Sequence, residues 1–154
     1  MFAYIHGNLD RQSKGLVLLS TLLEEEFALL VARDTDGIMA VEFSIHELLR
    51  QLAVERLTLR ELLDGVRVRD YMTMLPEEDG ATIGGLLAII DTFEQQCARQ
   101  ASGNAELSLA LMDQSQEMLD FLHRRIVPPE PVTYGRKGGM NGQRSEAALI
   151  RGRL

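Results

Sequence analysis

The chain has no tryptophan, a single cysteine and only four prolines among 154 residues. Aromatic residues make up 5% of it, so any core must be built mostly from aliphatic side chains. The lone Cys97 excludes an intramolecular disulfide and a multi-cysteine zinc site. Long hydrophobic runs are missing too. The longest, Phe27 to Ala32, falls far short of the roughly 20 apolar residues a membrane span needs. The opening Met1-Phe2-Ala3-Tyr4-Ile5-His6-Gly7 has neither the basic nor the apolar region of a signal peptide. An unpaired cysteine and no export signal place the expected compartment in the cytosol. Basic charge is scarce: the net charge is -7, which argues against nucleic-acid binding by the whole domain.

What is present is ordinary in proportion, with 45% hydrophobic and 25% charged residues. The length suits one domain with a sizeable core. Charge is unevenly distributed. Residues 136–154 carry Arg136, Lys137, Arg144, Arg151 and Arg153 against Glu146 alone, interleaved with glycines, whereas the preceding sequence is acidic. Pro128, Pro129 and Pro131 mark the change, because proline cannot continue a helix. The expected organisation is a helical domain over residues 1–135 and a flexible basic tail over 136–154.

Before the prolines the periodicity is helical. Leu16, Leu19, Leu23, Phe27 and Leu30 recur at steps of three and four, which puts them on one helix face. A second stripe runs through Ile38, Val41, Ile45, Leu48 and Leu52, then Leu59 and Leu62 beyond a polar turn at Glu55-Arg56. Asp34-Thr35-Asp36-Gly37 links the two. Gly37 is expected to end the first helix, and Asp34 or Asp36 to cap the second, as in an antiparallel hairpin. Asp64-Gly65 closes the second segment. Val66 to Met74 reads as a short helix or turn, since nothing else in the chain offers a partner strand. The acids of Pro76-Glu77-Glu78-Asp79-Gly80 suit a helix N-terminus. A third stripe comprises Ile83, Leu86, Ile90, Phe93, Cys97 and Ala101. A fourth comprises Leu107, Leu111, Ser115, Met118, Leu119, Leu122 and Ile126. Ser102-Gly103-Asn104 between them is either a turn or a weak point in one long helix. The expected class is all-α: long antiparallel amphipathic helices in a bundle or elongated hairpins.

Catalytic patterns are thin. Glu42 with His46, and Asp120 with His123, are acid–histidine pairs at helical spacing, but a helical metal site wants two such pairs plus inward carboxylates. A solvated face explains them better. There is no His-Glu-x-x-His or Gly-x-Ser-x-Gly motif. No enzyme activity, metal or cofactor is expected. Cys97 lies on an apolar stripe and reads as a small core residue. Met112 and Met118 flank the fourth stripe and Met39 the second. Each alone reads as filler, but together on the fourth segment they suit an adaptable surface for a partner helix. Tyr134 stands in Pro131-Val132-Thr133-Tyr134-Gly135. It is either an exposed anchor for a partner's pocket or a cover for the bundle end.

These pieces, in this order, resemble the FlgN family of flagellar export chaperones. The first helix ends in Leu29-Leu30-Val31-Ala32-Arg33-Asp34-Thr35-Asp36, and a leucine-rich second helix passes through Glu47-Leu48-Leu49-Arg50-Gln51-Leu52. Asn104-Ala105-Glu106-Leu107 before Leu111 is similar to the stretch opening the family's last helix. The Tyr-Gly after that helix has a counterpart in Tyr134-Gly135. Ala101-Ser102-Gly103 departs from the family pattern, which favours Asn or bulky helix formers there. The resemblance spans roughly residues 14–136 and implies a non-enzymatic cytosolic chaperone of type III flagellar export. It implies binding of the C-terminal helical part of hook-associated (hook–filament junction) proteins, which keeps them from polymerising before delivery to the export gate. It places client binding on the last segment, at Leu111, Met112, Met118, Leu119, Leu122 and Ile126, and docking on the export-gate protein FlhA at Tyr134. A homodimer is compatible with the same stripes, and a helical dimerisation module without a client is the alternative reading.

Overall fold

A computed structural model describes residues 1–126. The described residues form four α-helices and no strand: α1 (Phe2–Ala32), α2 (Thr35–Leu62), α3 (Val68–Thr73) and α4 (Glu77–Ile126). The all-α expectation holds. Contacts group the chain into two units, Met1–Met112 and a second beginning at Asp113.

The first unit is a bundle of long helices. On α1 the buried positions Ile5, Leu9, Gln12, Leu16, Leu19 and Leu23 alternate steps of four and three, the repeat of helices packed side by side. On α4 the buried Ile83, Ile90, Cys97 and Asn104 are each seven apart. The two sets are in register. The Cys97 thiol lies 3.6 Å from the Leu16 carbonyl, and Asn104 Nδ2 donates to the Leu23 carbonyl at 2.8 Å. Equal increments along both helices mean that α1 and α4 run parallel. α2 runs against both: Asn8 near the start of α1 reaches Glu55 late in α2, and Arg56 of α2 pairs with Glu94 of α4. The up–down–up order brings the end of α2 and the start of α4 to the same end of the bundle, and α3 with its flanking turns links them.

The turns follow from local chemistry. Arg33 takes the left-handed conformation (φ 57°) and ends α1, its N–H bonding back to the Leu30 carbonyl at 3.1 Å. Asp34 then caps α2 by accepting from the Gly37 N–H at 3.0 Å. Gly37 therefore belongs to the first turn of α2 and does not terminate α1, contrary to the sequence expectation. A Cβ built there would lie 2.6 Å from Leu29 Cδ2, so the tight hairpin uses the missing side chain. Asp64 and Gly65 both have positive φ, at 48° and 80°, and close α2 as the sequence indicates. Gly15 sits where α1 packs closely on α2: a Cβ there would lie 2.8 Å from Leu52 Cδ2.

Two further expectations are corrected. No turn interrupts α2 at Glu55-Arg56. Glu55 is polar because it faces a buried amide rather than because the helix breaks there. Phe27 is 42% exposed and off the core; the heptad position beside it belongs to the half-buried Glu26. The open question at Ser102-Gly103-Asn104 resolves to one continuous helix. Asn104 is 3% exposed, so this stretch is held by packing rather than loosened by its glycine.

Candidate functional site

Two polar layers punctuate the aliphatic core of the first unit. Near the start of α1, Asn8 Nδ2 donates to the Glu55 carbonyl at 2.9 Å and to its carboxylate at 2.6 Å. Gln12 Nε2 donates to Asn8 Oδ1 at 2.6 Å, and Arg11 grips the same carboxylate at 2.7 and 2.9 Å. The Arg11 hydrogen bonds hold the Glu55 carboxyl below the usual carboxylate range. At the other end, Asn104 Nδ2 donates to the Leu23 carbonyl and, at 2.6 Å, to Glu26 Oε2. Its Oδ1 accepts from Gln100 Nε2 at 2.9 Å. No buried side-chain polar atom lacks a partner among the described residues. Satisfied layers of this kind fix helix register. Sequence reasoning missed both. The available signal was Gln12, Glu26, Glu55 and Asn104 standing at core-facing positions of otherwise apolar repeats.

Chemistry is sparse elsewhere. Cys97 is buried, and burial pushes its thiol pKa up, the opposite of an activated nucleophile. This agrees with its reading as a core residue. His46 is exposed and its ring nitrogen lies 2.8 Å from the Glu42 carbonyl of its own helix. Among the described residues no three His, Cys, Asp or Glu side chains gather as metal ligands. None of the described helices is long and apolar enough to cross a membrane.

The apolar positions assigned to partner binding fall as follows. In the first unit, Leu111 is partly buried and Met112 is 61% exposed. In the second unit, Met118, Leu119, Leu122 and Ile126 are all exposed. Their spacing brings these four to one side of the helix. Phe121, also exposed, carries Arg125 over its ring at 4.8 Å. Leu119 and Leu122 do not belong to the buried hydrophobic cluster of the described residues. Tyr134, the prolines 128, 129 and 131 and the basic tail lie outside the described residues.

Compared with known protein families, the chain matches the FlgN protein family over residues 1–142. The chain belongs to the FlgN family. No curated protein and no solved structure matches it. FlgN proteins are flagellar export chaperones, and they bind hook-associated proteins. The match covers all of α1, whereas the resemblance in the sequence begins near residue 14.

Proposed function

We propose that this FlgN-family chain binds the C-terminal helical region of hook-associated proteins in the cytoplasm, keeps them from polymerising, and delivers them to the export gate. The observation that carries the reading is the row Met118, Leu119, Leu122 and Ile126, exposed by 64%, 59%, 43% and 72%. A client helix that would otherwise polymerise must hide its own apolar face, and a helical apolar surface of this kind accepts it. Full burial of a large aliphatic side chain contributes about 1.5–3 kcal/mol. Four such side chains, roughly half-exposed to begin with, supply about 3–6 kcal/mol before association costs are subtracted. That magnitude favours reversible capture, which suits a chaperone that must release its cargo. Leu111 and Met112 are proposed to extend the same contact. Tyr134 is proposed to dock on FlhA.

Size-exclusion chromatography with light scattering tests this, with the C-terminal helical segment of a hook–filament junction protein from the same genome as probe. A stoichiometric heterocomplex is expected, lost in Leu119→Asp with the far-UV helical signal retained. Tyr134→Ala is expected to keep the client complex and to weaken co-elution with the soluble part of FlhA. A stable homodimer that ignores the probe would instead support a dimerisation module, and equal FlhA docking by both forms would remove the role of Tyr134.

A further inference from the structure

The first unit has three long helices where a four-helix bundle would have four, and the vacant side is a groove. Its floor is α1, at Leu16, Leu19, Leu23 and Leu30. One wall is α2, at Ile45 and Leu49; the other is α4, at Ala98, Ala101 and Ala105. Two adjoining hollows of about 450 and 520 Å³ share Leu19, Leu49 and Cys97, so the groove is continuous. It runs from the Arg56–Glu94 ion pair to Glu42 and Ser108. Both walls span 15 residues, from Glu42 to Arg56 and from Glu94 to Ser108, a rise of about 21 Å at about 1.5 Å per residue. That length takes four turns of a helix. The alanines of α4 explain the width. Ala101 lies on the stripe that reads as core in the sequence, yet it is exposed, because no fourth helix covers it among the described residues.

The two ends of the groove differ in charge. At one end Arg56 and Glu94 neutralise each other. At the other, Glu26 and Glu42 line the groove and neither forms an ion pair among the described residues. An apolar floor, narrow alanine wall and two acids at one end specify the complementary ligand.

We propose that this groove is a second docking site, which takes one amphipathic helix of about four turns from the export client, apolar on one face and carrying Lys or Arg where it meets Glu26 and Glu42. The source of the helix rests on the chaperone reading above; the shape and charge of the site do not. The helix completes a four-helix bundle, covering Leu49, which is 46% exposed, and the exposed Ala98, Ala101 and Ala105 above leucines that are already buried. Its basic side chains meet the half-buried Glu26 and the exposed Glu42 at one end only, which gives the site an orientation as well as an affinity.

Methyl NMR on the full chain separates the two surfaces. Alanine methyls at Ala98, Ala101 and Ala105 report on the groove, and the Met118 methyl reports on the second unit. The probe is the same C-terminal helical segment of a hook–filament junction protein. Shifts at the three alanines together with Met118 are expected. Ala101→Trp, which fills the groove, should abolish the Ala98 and Ala105 shifts and weaken binding about tenfold. Glu42→Lys, on an exposed position that leaves the core untouched, should weaken binding several-fold and flatten its salt dependence. A probe that shifts Met118 while the three alanines stay still overturns the groove and leaves the chaperone reading standing. A probe that shifts neither set overturns both.

Discussion

Replacing Asn104 tests what a buried amide does in a helical bundle. Its side chain is 3% exposed and donates twice, to the Leu23 carbonyl at 2.8 Å and to the Glu26 carboxylate at 2.6 Å. It also accepts from Gln100 at 2.9 Å. A neutral hydrogen bond contributes about 1 kcal/mol and one to a charged group about 1.5–3 kcal/mol. Glu26 is half-buried, so water recovers part of its loss. Asn104→Ala should therefore cost about 2–3 kcal/mol, on the order of 10 °C in Tm. Asn104→Leu should behave differently. It fills the same heptad position with apolar volume, and such exchanges at a buried polar site are often neutral or stabilising. It should match or exceed the native stability while losing a single, well-defined oligomeric state. Asn104→Asp places a carboxyl beside Glu26, and burial and like charge both raise the pKa of the introduced group above its unfolded value. Its stability should be near native at low pH and fall as pH rises through the folded pKa. Urea denaturation followed by circular dichroism, with light scattering for assembly, reads all three. Alanine and leucine variants both within about 0.5 kcal/mol of native, with no pH dependence in the aspartate variant, would refute the assignment of a register-fixing role.

The other polar layer makes a pH prediction. Glu55 has a folded pKa held down by Arg11, so its stabilisation is present at neutral pH and lost as pH falls through the acidic range below its unfolded pKa. Glu55→Ala should cost about 1–3 kcal/mol because it removes the carboxylate that Asn8 and Arg11 share, although Asn8 Nδ2 keeps the backbone carbonyl of residue 55, whereas Arg11→Ala, on an exposed side chain, should cost under about 1 kcal/mol; acid titration of unfolding by circular dichroism separates them. The glycines of α1 and α4 should respond in opposite directions in thermal melts. Gly15→Val crowds Leu52 and should destabilise by about 1–3 kcal/mol. Gly103→Ala meets nothing within 4 Å and should stabilise by about 0.5–1 kcal/mol. If Gly103→Ala instead unfolds α4 locally, the helix is not continuous there.

Helix existence, class and the Asp64-Gly65 stop were legible in the sequence, because apolar side chains at steps of three and four have only one regular structure that gathers them on a face. Family-level function was legible as well, through the order of the segments and the Tyr-Gly after the last helix. Three features required the tertiary structure. Glu55 and Asn104 look like helix breaks when read along the chain, yet they are core residues whose partners, Asn8 and Leu23, lie 47 and 81 residues away. Phe27 and Glu26 exchange places relative to expectation because a seven-residue repeat fixes the buried positions of α1, and residue type is secondary to that register. The groove is invisible in one dimension. Leu19 and Ala101 each belong to a stripe that reads as ordinary core, and only the parallel run of α1 and α4, with α2 reversed, determines that one side of their shared interface has no covering helix among the described residues. Periodicity specifies which face of a helix avoids water; it carries no record of how many neighbours are present to shield it.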